Sequence, residues 1–305
     1  MQYINPLALL GLEPEEALQG ISSARLKREK KKLMAEFELN EASNIELRGI
    51  SLNKNQVLDL FDQLGDPKII EHHAKVLSKL SLLAFLEESS LDYFYSGDIS
   101  MLSAQSESFL KFIAPYFAFQ YNKRLLHAFK QRDWEEIQTM STHPLPIPSK
   151  FFAQTYKDTF HLIHTHIKEI EDTTFKIEKG SLPDGKMQEY CDEMYIAAMN
   201  RLPDYFAGSR DRYALALENL AISVHNVHKR PKLAVFILKQ GLKMHLGEDA
   251  RSALMHVLHQ LEAQDPVAGI FDMFGTKDKE KDSSVPWLVA AGTGLAAILL
   301  YRWLK

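Results

Sequence analysis

Cysteine is almost missing from this chain: Cys191 is the single thiol in 305 residues. One thiol excludes an internal disulfide framework and any zinc site built on cysteines, so nothing points to an oxidising compartment. A large excess of one charge is missing too. The net charge of -4 offers no broad basic surface for nucleic acid, and no nucleic-acid partner is expected. The sequence has no G-x-S-x-G elbow, no G-x-x-x-x-G-K-[ST] loop and no G-x-G-x-x-G in a strand–helix setting. Gly292-Thr293-Gly294 sits inside an apolar run and does not substitute for one. Catalytic residues and cofactors are therefore not assigned. Long stretches of strict alternation marked by hairpin turns are also lacking, which leaves strands a minor role.

Helical periodicity is present throughout. Val57, Leu60, Phe61 and Leu64 form an i, i+3, i+4, i+7 stripe, as do Leu110, Ile113, Phe117 and Tyr121, with Pro115 expected to interrupt or kink the second. Phe160, Ile163, Ile167 and Ile170 form a third. Breaks fall at Gly65-Asp66-Pro67, at the Pro-rich stretch 142–148, at 180–185 and at Leu202-Pro203-Asp204. Residues 276–284, TKDKEKDSS, are charged and poor in apolar groups, and read as a tether. The expected fold is all-α: a multi-helical cytosolic region plus one C-terminal transmembrane helix.

Charge is local where it matters. RLKREKKK, residues 25–32, carries Arg25, Lys27, Arg28, Lys30, Lys31 and Lys32 against Glu29. Six bases less one acid give +5 here, which leaves -9 on the rest of the chain. These six cations are the candidate partner-binding residues. Their helix reads as a solvated face, a docking site for an acidic protein, or a contact with anionic headgroups.

Two segments resemble known families. NPLALLGLEPEEA, SSARLKREKKKLMAEFEL and NQVLDLFDQLGDPKIIEHHAKV resemble, in order, the entry and first helix, the basic second helix, and the third helix with the closing L-x-D-P turn of a J-domain. That resemblance implies a small helical module, residues 1–85, that docks on a chaperone. The His-Pro-Asp of that family is missing from Glu38–Asn53, which puts stimulation of a chaperone ATPase in doubt. Residues 214–263 are faintly similar to tetratricopeptide helices, with Ala234, Leu238 and Gly241 at small and apolar packing positions. They fall in an expected second helical domain, 86–275.

Histidine supplies the alternative, a helical enzyme or ligand-binding protein with a histidine-lined pocket, with or without a metal. His161 and His164 in FHLIHTHIKEIED share a helix face and are the leading metal candidates, ahead of His225/His228 and His256/His259. No glutamate lies inside any H-x-x-H pair to act as base, and solvated or capping roles suit helix-surface histidines better. Cys191, beside Asp192 and Glu193, reads as inert and half-buried. The aromatics of 91–95 and 112–117 read as core packing.

Val285 to Tyr301 is a run of 17 uncharged residues, roughly 25 Å of helix. A transmembrane helix is expected over 285–304. Trp287, Tyr301 and Trp303 stand where interfacial aromatics belong, and Leu295, Ile298, Leu299 and Leu300 form the apolar span. Ala290/Gly294 and Gly292/Ala296 are small-x-x-x-small pairs suited to a homodimer. The N-terminus, broken by Pro6, Gly11 and Glu13, does not read as a signal peptide. The expectation is a C-terminal anchor with the N-terminal region cytosolic. The membrane would be bacterial inner, or mitochondrial outer or that of another organelle in a eukaryote. Cytosolic proteins, a chaperone among them, and membrane lipid are the expected partners.

Overall fold

The computed structural model describes residues 3–19, 21–39, 43–47, 50–181 and 186–264. The expected tether and the expected transmembrane helix, with Trp287, Leu295, Ile298, Leu299, Leu300, Tyr301 and Trp303, lie outside them. Among the described residues no helix is long and apolar enough to cross a membrane. The all-α class holds, with one small two-stranded sheet as the exception. The chain divides into two units, Met1–Leu125 with His143–Lys157 and Leu126–Thr142 with Asp158–Lys305. It passes between them at 125/126, at 142/143 inside the Pro-rich stretch, and at 157/158.

In the first unit, α1 (Pro6–Leu9) starts because the Asn5 side chain accepts from the Leu7 and Ala8 amides and Pro6 needs no partner for a missing N–H. Helices α2 (Pro14–Leu18) and α3 (Ser23–Leu39) follow. Next come β1 (Asn44–Leu47) and β2 (Ile50–Asn53), paired antiparallel with Ile45 opposite Leu52. Asn53 closes the hairpin and opens α4 (Lys54–Gln63) through a reciprocal cap with Gln56, both hydrogen bonds 2.9 Å. Helix α5 (Pro67–Leu77) is capped by Asp66. Leu7, Phe37, Ile45, Leu52, Val57 and Leu60 share one buried core.

A polar network ties the start of the chain to this core. His73 on α5 is fully buried; its Nδ1 lies 2.8 Å from the Tyr3 hydroxyl and its Nε2 3.2 Å from Gln63 Oε1. Asn5 Nδ2 donates to the His73 carbonyl at 2.9 Å. Burial holds the His73 imidazole down at about 3, so it is neutral at physiological pH.

Helices α6 (Leu80–Glu88), α7 (Asp92–Tyr95) and α8 (Asp98–Leu102) complete the run before α9 (Glu107–Gln131). The expected boundary at 85/86 falls inside α6. Tyr93 stacks on Phe85 at 5.9 Å, while Phe94 meets the same ring edge-on at 5.1 Å and Phe117 at a tilt at 4.9 Å, so these aromatics are core. Helix α9 runs through Pro115 without ending, so of the interruption or kink expected there the interruption does not occur. Ile113, Ala114, Phe117 and Ala118 around the proline are all fully buried. Burial of Ile113 and Phe117 alone, at about 1.5–3 kcal/mol each, offsets the ~3 kcal/mol that an interior proline costs.

The second unit holds α10 (Trp134–Ser141), and after α11 (Phe152–Thr155) of the first unit it continues with α12 (Lys157–Glu178), α13 (Lys186–Tyr190), α14 (Glu193–Arg201), α15 (Ala207–His228), α16 (Pro231–Leu242) and α17 (Glu248–Gln264). Helices α15, α16 and α17 pack on one another. Gly241 permits the approach of α16 to α17, since a Cβ there would lie 2.7 Å from Leu254 Cδ2. Arg210, almost wholly buried, donates from Nη1 to the Leu202 carbonyl at 2.9 Å and from Nε to the His245 carbonyl at 3.1 Å. It thereby satisfies carbonyls past the ends of α14 and α16 that helix geometry leaves open.

Candidate docking surface

Helix α3 turns Phe37 fully inward and Leu26, Leu33 and Met34 partly inward, against the core of the first unit. Arg25, Lys27, Arg28, Lys31 and Lys32 lie on the flanks and far side of the helix, whereas Lys30 sits on the inward side beside α4. Arg25 pairs with Glu16 of α2, and Lys30 reaches Asp62 of α4 at 3.6 Å while lying 5.9 Å from the Phe61 ring. Glu29 takes Lys32 at 3.1 Å and Arg28 at 3.2 Å. The Lys32 hydrogen bond first, and then that of Arg28, hold the Glu29 carboxyl below its ordinary range. Lys27 and Lys31, one turn apart and exposed, form no ion pair with any described residue. The six cations thus differ: Arg25, Arg28, Lys30 and Lys32 have partners within the fold, whereas Lys27 and Lys31 offer their charge to solvent.

Beside them, α1, α3 and α4 leave an apolar groove lined by Leu9, Leu10, Leu33, Val57, Leu60 and Phe61. Its volume is about 10 Å³, room for about one water, so it admits no small-molecule ligand. Binding on this face has to proceed by surface contact.

The hairpin lies between α3 and α4, within the interval Glu38–Asn53. Ile45 and Leu52 point into the core and Glu46 and Ser51 out. Sequence reading passed over it. The signal is short: Ile45-Glu46-Leu47 and Ile50-Ser51-Leu52 alternate on either side of Arg48-Gly49.

The histidines are scattered. His161 is exposed on α12, and His164 lies 3.4 Å from Arg212 Nη1 and 3.5 Å from the Ser209 hydroxyl, its ring 4.2 Å from Phe160. Burial, then Arg212, pushes the His164 imidazole below its ordinary range. Among the described residues no three His, Cys, Asp or Glu side chains converge on a metal-sized site. His228 Nε2 contacts the Ser181 carbonyl at 2.8 Å, a capping role. His166, which the sequence did not single out beyond its place in FHLIHTHIKEIED, sits with its Nδ1 3.0 Å from the Tyr195 hydroxyl. Cys191 is buried, not half-buried, and burial, not its acidic neighbours, pushes its thiol up to about 12.

No family model, curated protein or solved structure matches the chain.

Proposed function

We propose that the chain is a membrane-tethered helical adaptor, co-chaperone-like in its N-terminal module, that binds cytosolic protein partners without chemistry of its own. The observation that carries this reading is the pair Lys27 and Lys31, one turn apart on α3, exposed and without an ion pair to any described residue. Two adjacent unneutralised cations raise the local potential, and an acidic partner gains from their discharge more than from cations already paired. The order of helices α1 to α5 supports a J-like scaffold, and the hairpin in place of the His-Pro-Asp interval accords with docking that does not stimulate a chaperone ATPase. The closing apolar run supplies the tether.

Partner recovery from detergent extracts tests the docking half. Wild-type protein should retain a reproducible set of partners that Lys27→Glu with Lys31→Glu loses, while Arg28→Glu, which removes a cation already neutralised by Glu29, keeps most of it. Equal recovery by all three would reduce α3 to a solvated face. Carbonate extraction tests the tether: full-length chain should stay in the membrane pellet and residues 1–282 should be released.

A further inference from the structure

The second unit holds a cleft of about 250 Å³ at the C-terminal end of α9, closed by α12, α13 and α14. That volume lies below the usual range for drug-sized ligands, about 300–1,000 Å³, and restricts an occupant to a small metabolite. One wall is apolar and aromatic: Phe129, Leu162 and Tyr195 line it, with Tyr195 edge-on to Phe129 at 6.0 Å. Lys130 and Arg132 supply positive charge, and Glu169, Glu189 and Asp192 negative charge. His166 lines the cleft as well, fixed by its contact with Tyr195.

These charges are poorly matched to one another. Arg132 lies 3.7 Å from Glu189 and 3.8 Å from Asp192, near enough for attraction and too far for hydrogen bonds. Its guanidinium fork, suited to a carboxylate, is therefore left open. Lys130 and Glu169 pair with no described residue. Arg132 sits at φ 56, the left-handed position that closes α9, where the Asp133 amide donates to the Ala128 carbonyl at 2.9 Å; Ser89 and Lys229 take the same conformation at the ends of α6 and α15.

We propose that this cleft binds a free α-amino acid with an apolar side chain. The ligand carboxylate takes the open fork of Arg132, with Lys130 beside it. The ligand ammonium takes Glu189 and Glu169, and its side chain lies against Phe129, Leu162 and Tyr195. An α-amino acid carries opposite charges on adjacent groups, which suits cations and carboxylates that face each other across so short a gap. The site is separate from the basic face of α3, so either can fail without the other.

Titration calorimetry on the full chain in detergent tests this, with L-leucine, L-isoleucine, L-valine, L-methionine and L-phenylalanine as probes. At least one should bind saturably, one per chain. N-acetyl-leucine, which lacks the ammonium, and leucinamide, which lacks the carboxylate, should each bind at least about tenfold more weakly than leucine. Arg132→Gly should lose about tenfold or more in affinity while its melting temperature stays level or rises, and Glu189→Gln should weaken binding with the fold intact. The proposal is overturned by absence of binding for all five at about 10 mM, where a Kd of about 1 mM would saturate. It is equally overturned by blocked ligands that bind as well as leucine, or by both variants retaining wild-type affinity.

Discussion

His73 shows how one side chain ties pH to stability. Its imidazole is depressed to about 3 by burial, against about 6.5 in an unfolded chain. Between those values the unfolded state binds more protons, so the contribution of His73 is complete above pH 6.5 and is lost as pH falls toward 3, at up to about 1.4 kcal/mol per unit. His72, His164 and His166 are depressed in the same direction, chiefly by burial, and add to the slope. Urea midpoints followed by circular dichroism from pH 7 to 5 should fall in the wild type, and fall less in His73→Gln. Gly241 is the second residue whose identity the packing fixes. Gly241→Val drives branched carbons into Leu254 and Leu217, and should cost about 1–3 kcal/mol of unfolding free energy in urea titrations.

At the scale of elements, the hairpin between α3 and α4 depends on its seam with the helix that follows. Asn53→Ala removes the reciprocal cap with Gln56 and should destabilise the protein by about 0.5–2 kcal/mol, read from thermal unfolding. The helices were legible in the sequence wherever an apolar stripe ran for two turns or more, as at Val57, Leu60, Phe61 and Leu64, and where a cap such as Asp66-Pro67 marked the start. The hairpin was not, because four-residue strands give too short an alternation to stand out from loop. That α9 continues through Pro115 was not legible either: local stereochemistry allows a break or a kink, and burial of the flanking side chains is a tertiary effect that no local rule contains. The six cations of the docking face were legible by type. Which of them the fold already neutralises was not, since Glu16 and Asp62 come from other helices.

For the whole molecule, recognition by unpaired lysines has a salt signature. Partner retention should fall steeply between about 50 and 200 mM salt in the wild type, because the Debye length over which exposed charges act shortens from about 14 Å to about 7 Å across this range, and should become flat in the Lys27→Glu, Lys31→Glu variant. The charged cleft escaped sequence reading because its walls come from four helices spread over sixty-odd positions, and no spacing rule joins Arg132 to Glu189. Cys191 lies between two of those wall residues, Tyr190 and Asp192, and is the only thiol in the chain. Sealed and protonated in the folded state, it becomes a clock. A thiol reagent in excess can modify the protein only when the α13–α14 segment opens, so the labelling rate under native conditions reports the free energy of that local opening. No cysteine has to be added or removed to make the measurement, and an occupant of the cleft should slow the clock.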